Sequence, residues 1–552
     1  MRVLFAVILG LALLLPMPVL AMDQTELMKK IDDMSRELDS LKKQMGEIKA
    51  AEKVAAPAEK KADKAGAPSW LEIGGDYRFR FDYLNGKVQN YMQYTGMPST
   101  GYMPMMPGAL VNLYTAGQNG YTAKNESLYT NRFGLNLKAK ATEDVTVKAR
   151  LLMYKVFGSS DSSPVTSPFF SPEKSGIFDG NVSHVPQDSV LRIDQAYATW
   201  SNIGGAPVWF SVGRRPSTGG VPSNLRMNVE KGGTAGVPAF LIDYAFDGMT
   251  FGVAPDIDAL PGAYAKLCYG RGFDSGFKTP SNNSLKDVDM IGLNVVPYDS
   301  DVLHAELQWN RAFNMMSNPP VSAFGPVQTN VGDIDQLGLL VSGAINKLGP
   351  GNLNLFASAA ISKTHPNNNG YMAPFYDMCI DANMNGTCDP GETVRTGQMA
   401  KFGLLYDDPA FGGQKESHTG NIVYFGGRYD LPATGTKIGL EYNHGSKNWI
   451  AFTPASDDML ASKMGTRGSV YEIYAIQELK QKPISKYGKA YVRLGFQYYN
   501  FEYTGSNNWL GSPKKISGLT STPTSMNDFL GTQMYPPLKS AQNVYLTFDV
   551  EF

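Results

Sequence analysis

Residues 70–86, WLEIGGDYRFRFDYLNG, alternate with a period of two. Leu71, Ile73, Tyr77, Phe79, Phe81 and Tyr83 fall on one face, and Glu72, Asp76, Arg78, Arg80 and Asp82 fall on the other. That period describes a strand whose two faces meet different surroundings. The pattern recurs to the last residue. Phe133, Leu135, Leu137 and Ala139 oppose Arg132, Asn136, Lys138 and Lys140, and after the turn TED the oily face resumes at Val145, Val147, Ala149, Leu151 and Met153. Leu303, Ala305, Leu307 and Trp309 oppose His304, Glu306, Gln308 and Asn310; Val544, Leu546, Phe548, Val550 and Phe552 oppose Tyr545, Thr547, Asp549 and Glu551.

Short turns such as PYDSD and KLGPG alternate with long irregular stretches at 85–127, 158–188, 216–235, 315–332, 364–419, 451–467 and 505–540. Few sandwiches tolerate so many long loops. A transmembrane barrel places short turns at one rim and long loops at the other. The expected fold is therefore an all-β antiparallel transmembrane barrel over 70–552, of about sixteen strands, with lipid on its oily face and water on its charged face. Strands are expected near 71–84, 128–141, 145–157, 189–200, 207–215, 236–246, 263–273, 287–297, 301–313, 333–346, 352–363, 420–431, 436–450, 468–480, 488–504 and 541–552. The stretch 249–262 reads as a long turn, because a strand there would break the even count; eighteen strands is the competing number.

The N-terminus differs. Arg2, the apolar run 3–15, the prolines Pro16 and Pro18, and Val19-Leu20-Ala21 describe a cleaved signal peptide over 1–21. Leu27, Ile31, Met34, Leu38, Leu41, Met45 and Ile48 form a narrow heptad seam, so 22–53 is expected to be a short coiled-coil helix that self-associates. Residues 54–69 read as an Ala/Lys/Pro linker. A net charge of −1 argues against a nucleic-acid partner.

The sharpest local motif is DANMNGTCDPGE, Asp381 to Glu392, which fits D-x-[DN]-x-[DN]-G-x5-E. Asp381, Asn383, Asn385, Thr387, Asp389 and Glu392 would offer calcium its oxygens at positions 1, 3, 5, 7, 9 and 12, and Gly386 would allow the sharp turn. No flanking helices are evident, and the competing reading is a polar loop that happens to match. Cys379 and Cys388 bracket the loop's first part and, in an exported chain, are expected to pair. Counting strands from the N-terminus puts this loop outside the cell, where calcium would stiffen it.

The second feature is a basic wall. Arg78, Arg80, Arg132, Lys138, Lys140, Lys148, Arg150 and Arg214, with Arg215 beside it, come from the first five strands, most on the water-facing phase. Such a lining favours anions; Glu72, Asp76, Asp82 and Asp194 could instead neutralise it. The 216–235 loop occupies the place of a pore-constricting loop. The five histidines are scattered, and the sequence has no nucleophile elbow, phosphate loop or H-E-x-x-H, so no enzyme is expected.

The terminal NVYLTFDVEF resembles the signal read by the bacterial outer-membrane assembly machinery through its last Phe, here Phe552. DQAYATW and VWFSVGRRP, within 194–216, look like a porin strand–turn–strand. YAKLCYGRGFDSG, TKIGLEYNHGSKNWI and RLGFQYYNFEYTGSNNWLGSP resemble an uncharacterised family of bacterial outer-membrane barrels. The resemblance implies a porin-like channel in the outer membrane, with the coiled coil in the periplasm. The resemblance names no solute; passive passage of small hydrophilic solutes is the expectation, and the basic wall adds an expected preference for anions. A coiled coil ahead of such a barrel is similar to some trimeric porins, which implies a homotrimer. Two other roles stay open: a sheath around a partner such as a cytochrome, and a structural envelope tether.

Overall fold

The structure, a computed structural model, describes residues 68–161, 165, 186–217, 220–231, 241–243, 245–280, 284–318, 326–453, 457–479 and 482–552. The expected signal peptide, the coiled coil and most of the linker lie outside the described residues.

The first strands in chain order are β1 (Leu71–Val88), β2 (Tyr91–Tyr94), β3 (Met103–Met106), β4 (Ala109–Leu113), β5 (Thr115–Gln118) and β6 (Thr122–Lys140). Then come β7 (Val145–Val156), β8 (Arg192–Trp200), β9 (Val208–Arg215), β10 (Phe246–Val253), β11 (Tyr264–Phe273) and β12 (Val288–Asp299). They are followed by β13 (Leu303–Met316), β14 (Asn330–Leu348), β15 (Gly351–Pro366), β16 (Tyr371–Ile380) and β17 (Thr393–Phe402). The last are β18 (Thr419–Leu431), β19 (Thr436–Gly445), β20 (Gly468–Glu478), β21 (Lys489–Phe501) and β22 (Leu538–Glu551).

Sixteen of them, all but β2–β5, β16 and β17, close into one antiparallel barrel. The seam is β1 against β22, with Phe79 opposite Phe548, and Phe552 exchanges backbone hydrogen bonds with Gly75 at 2.7 and 2.9 Å. Closure leaves no unpaired edge, which a sheet in hydrocarbon requires. Seven connections at the rim nearest the C-terminus are short, and eight at the opposite rim are long.

Burial is inverted relative to a water-soluble protein. Leu339, Ile473, Leu494 and Phe548 are 39–53% exposed on the outside, while Arg80, Gln308, Glu472 and Thr547 are at most 3% exposed on the inside. Phe79, Tyr129 and Phe157 cluster near the long-loop rim, with ring centres 5.8–6.2 Å apart. Leu339 sits mid-strand between Leu307 and Ala359 on the outer wall. Leu339→Arg should cost about 2–4 kcal/mol in a bilayer, read from urea unfolding in vesicles.

One predicted strand is displaced. The wall strand is Phe246–Val253, which begins where the expected strand 236–246 ends and runs into the stretch 249–262 read as a turn. The replacement keeps the total at sixteen. Leu241 and Ile242, read as part of that strand, instead pack inside the lumen in a core with Phe452. The real strand escapes notice because two of its inward positions are glycine. A side-chain carbon at Gly252 would lie 2.3 Å from the Trp209 ring. Likewise the strand expected over 436–450 stops at Gly445, where the chain turns into the barrel.

Two stretches expected to be irregular are not. The 85–127 and 364–419 loops fold together at the long-loop rim as a four-stranded sheet in the order β17-β16-β4-β3, with β2 and β5 as a separate pair. Met92, Val111, Leu113, Phe375, Ala400 and Phe529 form their core. The joining pair is Tyr376 opposite Leu113, a contact that no local window of sequence reveals.

Candidate functional site: the barrel lumen

Two connections enter the lumen. The first, between β9 and β10, carries the short helix α1 (Ser223–Met227). The second runs from Ser446 to Arg467 between β19 and β20. They pair inside the barrel: Asp243 N donates to Phe452 O at 3.0 Å, and Phe452 N donates to Leu241 O at 2.8 Å. The second strap is apolar at its start. Trp449, Ile450, Ala451 and Phe452 are fully buried against inward residues of the wall that include Ile334, Leu340 and Ile422. Trp449 Nε1 donates to Met464 O at 2.7 Å, so its one polar atom is satisfied.

Towards the short-turn rim the packing becomes ionic. Asp457 lies 2.7 Å from Arg78, 3.5 Å from Arg80 and from Arg493, and 4.0 Å from Arg132. Its backbone sits at φ 66°, in the left-handed region that aspartate tolerates better than most residues. Arg80 also holds Asp82 through a fork of hydrogen bonds, and Asn543 donates to the same carboxylate at 2.9 Å. Asp458 accepts from Arg226 and Gln497, both at 2.7 Å. Lys463 is locked between Glu441 and Glu472. Tyr545 lies flat beneath Arg80 and Arg493, 4.8 and 5.2 Å from its ring centre. Gly495 makes this possible, since any side-chain carbon there would lie 2.2 Å from the Tyr545 ring.

The last carbonyls of so short a helix are incompletely satisfied from within, Leu225 O accepting from Asn228 N at 3.3 Å. The wall supplies donors: Arg428 to Leu225, Arg493 to Arg226 at 2.8 Å and Tyr491 to Met227 at 2.7 Å.

The predicted basic wall is therefore mostly neutralised. Arg78 is held by Asp457 and Asp549, and Arg80 by Asp82 and Asp457. Arg132 and Arg150 share Asp76 at 3.7 and 2.7 Å, and Lys138 meets Glu72 at 3.1 Å. Lys148 stands opposite Lys138 and lines a chamber of about 640 Å³ near the short-turn rim, with Glu72, Arg150, Asp194 and Tyr197. Lys140 is exposed at the end of β6. Arg214 is a correction: it pairs with Asp247 at 3.0 Å on the outward phase, while its neighbour Arg215 takes the inward one. The acids Asp457, Asp458, Glu441 and Glu472 were missed as site residues. Glu441 and Glu472 sit on the inward phase of their strands, which was the available signal.

At the long-loop rim, three residues of the calcium-like motif gather around the Asp389 carboxylate. Asp389 accepts from Asn383 and Asn385 at 2.9 and 2.7 Å and from Thr387 at 3.0 Å. Those three donors hold its carboxyl below the usual carboxylate range. Asp381 accepts from the backbone of Asn385 and Gly386, and Glu392 from that of Ala382 and Asp389. Gly386 adopts φ 81°, where a side chain would be strained. Cys379 and Cys388 are bonded to each other. Their sulfurs are therefore not thiolate ligands, although they lie near Glu392.

Three solved structures are similar in fold. Pseudomonas putida OprB is 10% identical, over 87% of this chain and 94% of that one, with a TM-score of 0.38. An anion-selective porin from Comamonas acidovorans is 13% identical, over 87% and 99%, with a TM-score of 0.37. Salmonella typhi OmpF is 9% identical, over 87% and 97%, with a TM-score of 0.36. No curated protein matches the sequence. The model of a family described as "Protein of unknown function (DUF3373)" matches residues 122–552, and the chain belongs to that family.

Proposed function

We propose that this protein is a porin-like channel of the bacterial outer membrane, passing small hydrophilic solutes through a lumen narrowed by its own chain. The carrying observation is the inverted burial: an apolar outer wall, and an interior lined by charged and amide side chains. The two infolded straps occupy the space that a sheathed partner such as a cytochrome would need, which favours the channel over the sheath. Because most lumen charges are paired, the anion preference expected from the basic wall should be weak. Purified protein in planar bilayers should give small, discrete conductance steps with a reversal potential near zero in a salt gradient. Folded barrels that never conduct at any voltage would count against a channel.

The remaining expectations have separate tests. The homotrimer rests on the heptad seam, and removing residues 22–53 should dissolve it in crosslinking of native membranes. Recognition by the assembly machinery rests on the terminal Phe552, whose deletion should slow barrel folding in vivo. Calcium at 381–392 rests on the motif's spacing and on the sharp turn at Gly386. Calcium should raise the Tm of the wild type and leave Asp381→Asn with Glu392→Gln unmoved, as read by calorimetry in detergent. Equal Tm values with calcium and with chelator would remove the ion.

A further inference from the structure

One polar part of the lumen has no acidic side chain in its lining among the described residues. Between the β9–β13 wall and the first infolded strap lies a cavity of about 60 Å³, room for roughly four to six waters. Five neighbouring strands each send an inward polar group to it: Arg215, Thr250, Lys266, Asn294, and Gln308 with Asn310. Ile242 and Phe246 help to cover it. Among the described residues no acidic side chain lines it, and the undescribed parts of this strap, 218–219, 232–240 and 244, contain no Asp or Glu.

Arg215 is aimed there. Its guanidinium donates to Thr250 Oγ1 and lies 5.7 Å from the Tyr197 ring centre and 5.9 Å from that of Trp209. Arg215 Nε has no partner among the described residues. The amides are in the same condition. Asn310 Nδ2, Gln308 Oε1 and Asn294 Oδ1 are buried without partners, in residues only 2–3% exposed. Glu306, on β13, does not line the cavity. It accepts from Asn294 Nδ2 and faces His304 Nε2 at 3.3 Å. Buried polar atoms without partners are costly, and a buried cation is more so.

We propose that this cavity is a binding site for a small oxyanion, a carboxylate or an inorganic anion such as phosphate. Arg215 supplies the planar fork that suits two oxygens, Lys266 supplies a second positive charge, and Asn310 donates a further hydrogen bond. Asn294 Oδ1 and Gln308 Oε1 remain to accept from a hydroxyl or a protonated oxygen on the same solute. The inference rests on the channel reading only in that solutes must reach the lumen.

Calorimetric titration of the full chain, folded in detergent, tests it with sodium acetate and sodium phosphate as separate arms. Saturable binding of either is expected. Acetate alone would assign the site to carboxylates, phosphate alone to inorganic oxyanions, and both to the shared chemistry. Arg215→Gln should weaken binding at least tenfold. Asn310→Asp, nearly isosteric, should abolish it by placing a carboxylate in the cavity. Arg271→Gln, at the end of β11, should bind as wild type. Heat-shifted migration on gels establishes that each variant is folded, and Arg215→Lys replaces Arg215→Gln if the latter is not. Silence in both arms, or undiminished binding by folded Asn310→Asp, would overturn the site. Conductance without binding sinks the site alone, and binding without conductance sinks the channel alone.

Discussion

Asp457→Asn should destabilise the folded barrel by about 3–5 kcal/mol and turn its current towards anions. The carboxylate lies within 4.0 Å of four arginines that cannot shed their charge. Asparagine keeps the shape and a hydrogen-bonding oxygen but removes the charge, so the loss is electrostatic. Asp549, Asp82 and Asp76 still balance part of the cluster. One extra positive charge then faces the lumen, and anions are favoured. Urea unfolding in vesicles reads the first effect, and the reversal potential in a salt gradient reads the second. A shift towards cations would contradict the placement of Asp457 in the conducting path.

Replacing residues 449–464 with a short Gly-Ser turn should raise single-channel conductance several-fold. The strap is not part of the wall. Gly445 and Gly468 stand opposite each other in the β19–β20 ladder, so a tight connection can join the strands once the strap is gone. The deletion removes Trp449, Ile450, Phe452 and Met464 from the lumen core, together with the carboxylates of Asp457 and Asp458. Stability should fall, while the closed sheet persists and still migrates as a folded barrel on unheated gels. A folded deletion variant with unchanged conductance would show that the strap does not obstruct the path.

The alternation of Arg78 and Arg80 with Phe79 and Phe81 was enough to read a lipid-facing wall, because a strand's period is fixed by its geometry. What that period cannot separate is an apolar run on the wall from an apolar run inside it. Leu241 and Ile242 therefore passed for strand, while Met249–Val253, the second half of a strand with glycines at inward positions, passed for turn. Charge compensation was legible in part: Asp82, Glu72 and Asp76 pair with Arg80, Lys138 and Arg150 as their nearness allows. What was hidden is Asp457, almost four hundred residues after Arg78 and Arg80, and Asp549 on the terminal strand. The cap at the long-loop rim depends on pairing between Leu113 and Tyr376, which is also non-local. The calcium-like loop is the opposite case: its groups lie within twelve consecutive positions, and the bonds of Asn383 and Asn385 to Asp389 are local.

The central claim is that hydrocarbon wets the outside of this cylinder while its inside is polar and partly filled by its own chain. Nitroxide labels placed singly at Leu307, Leu339, Ile473 and Leu494 in a bilayer test it most directly, by comparing collisions with oxygen and with a water-soluble nickel reagent. The expected result is high oxygen accessibility and little exposure to nickel at all four positions. Labels that meet the aqueous reagent, or that neither reagent reaches, would contradict it.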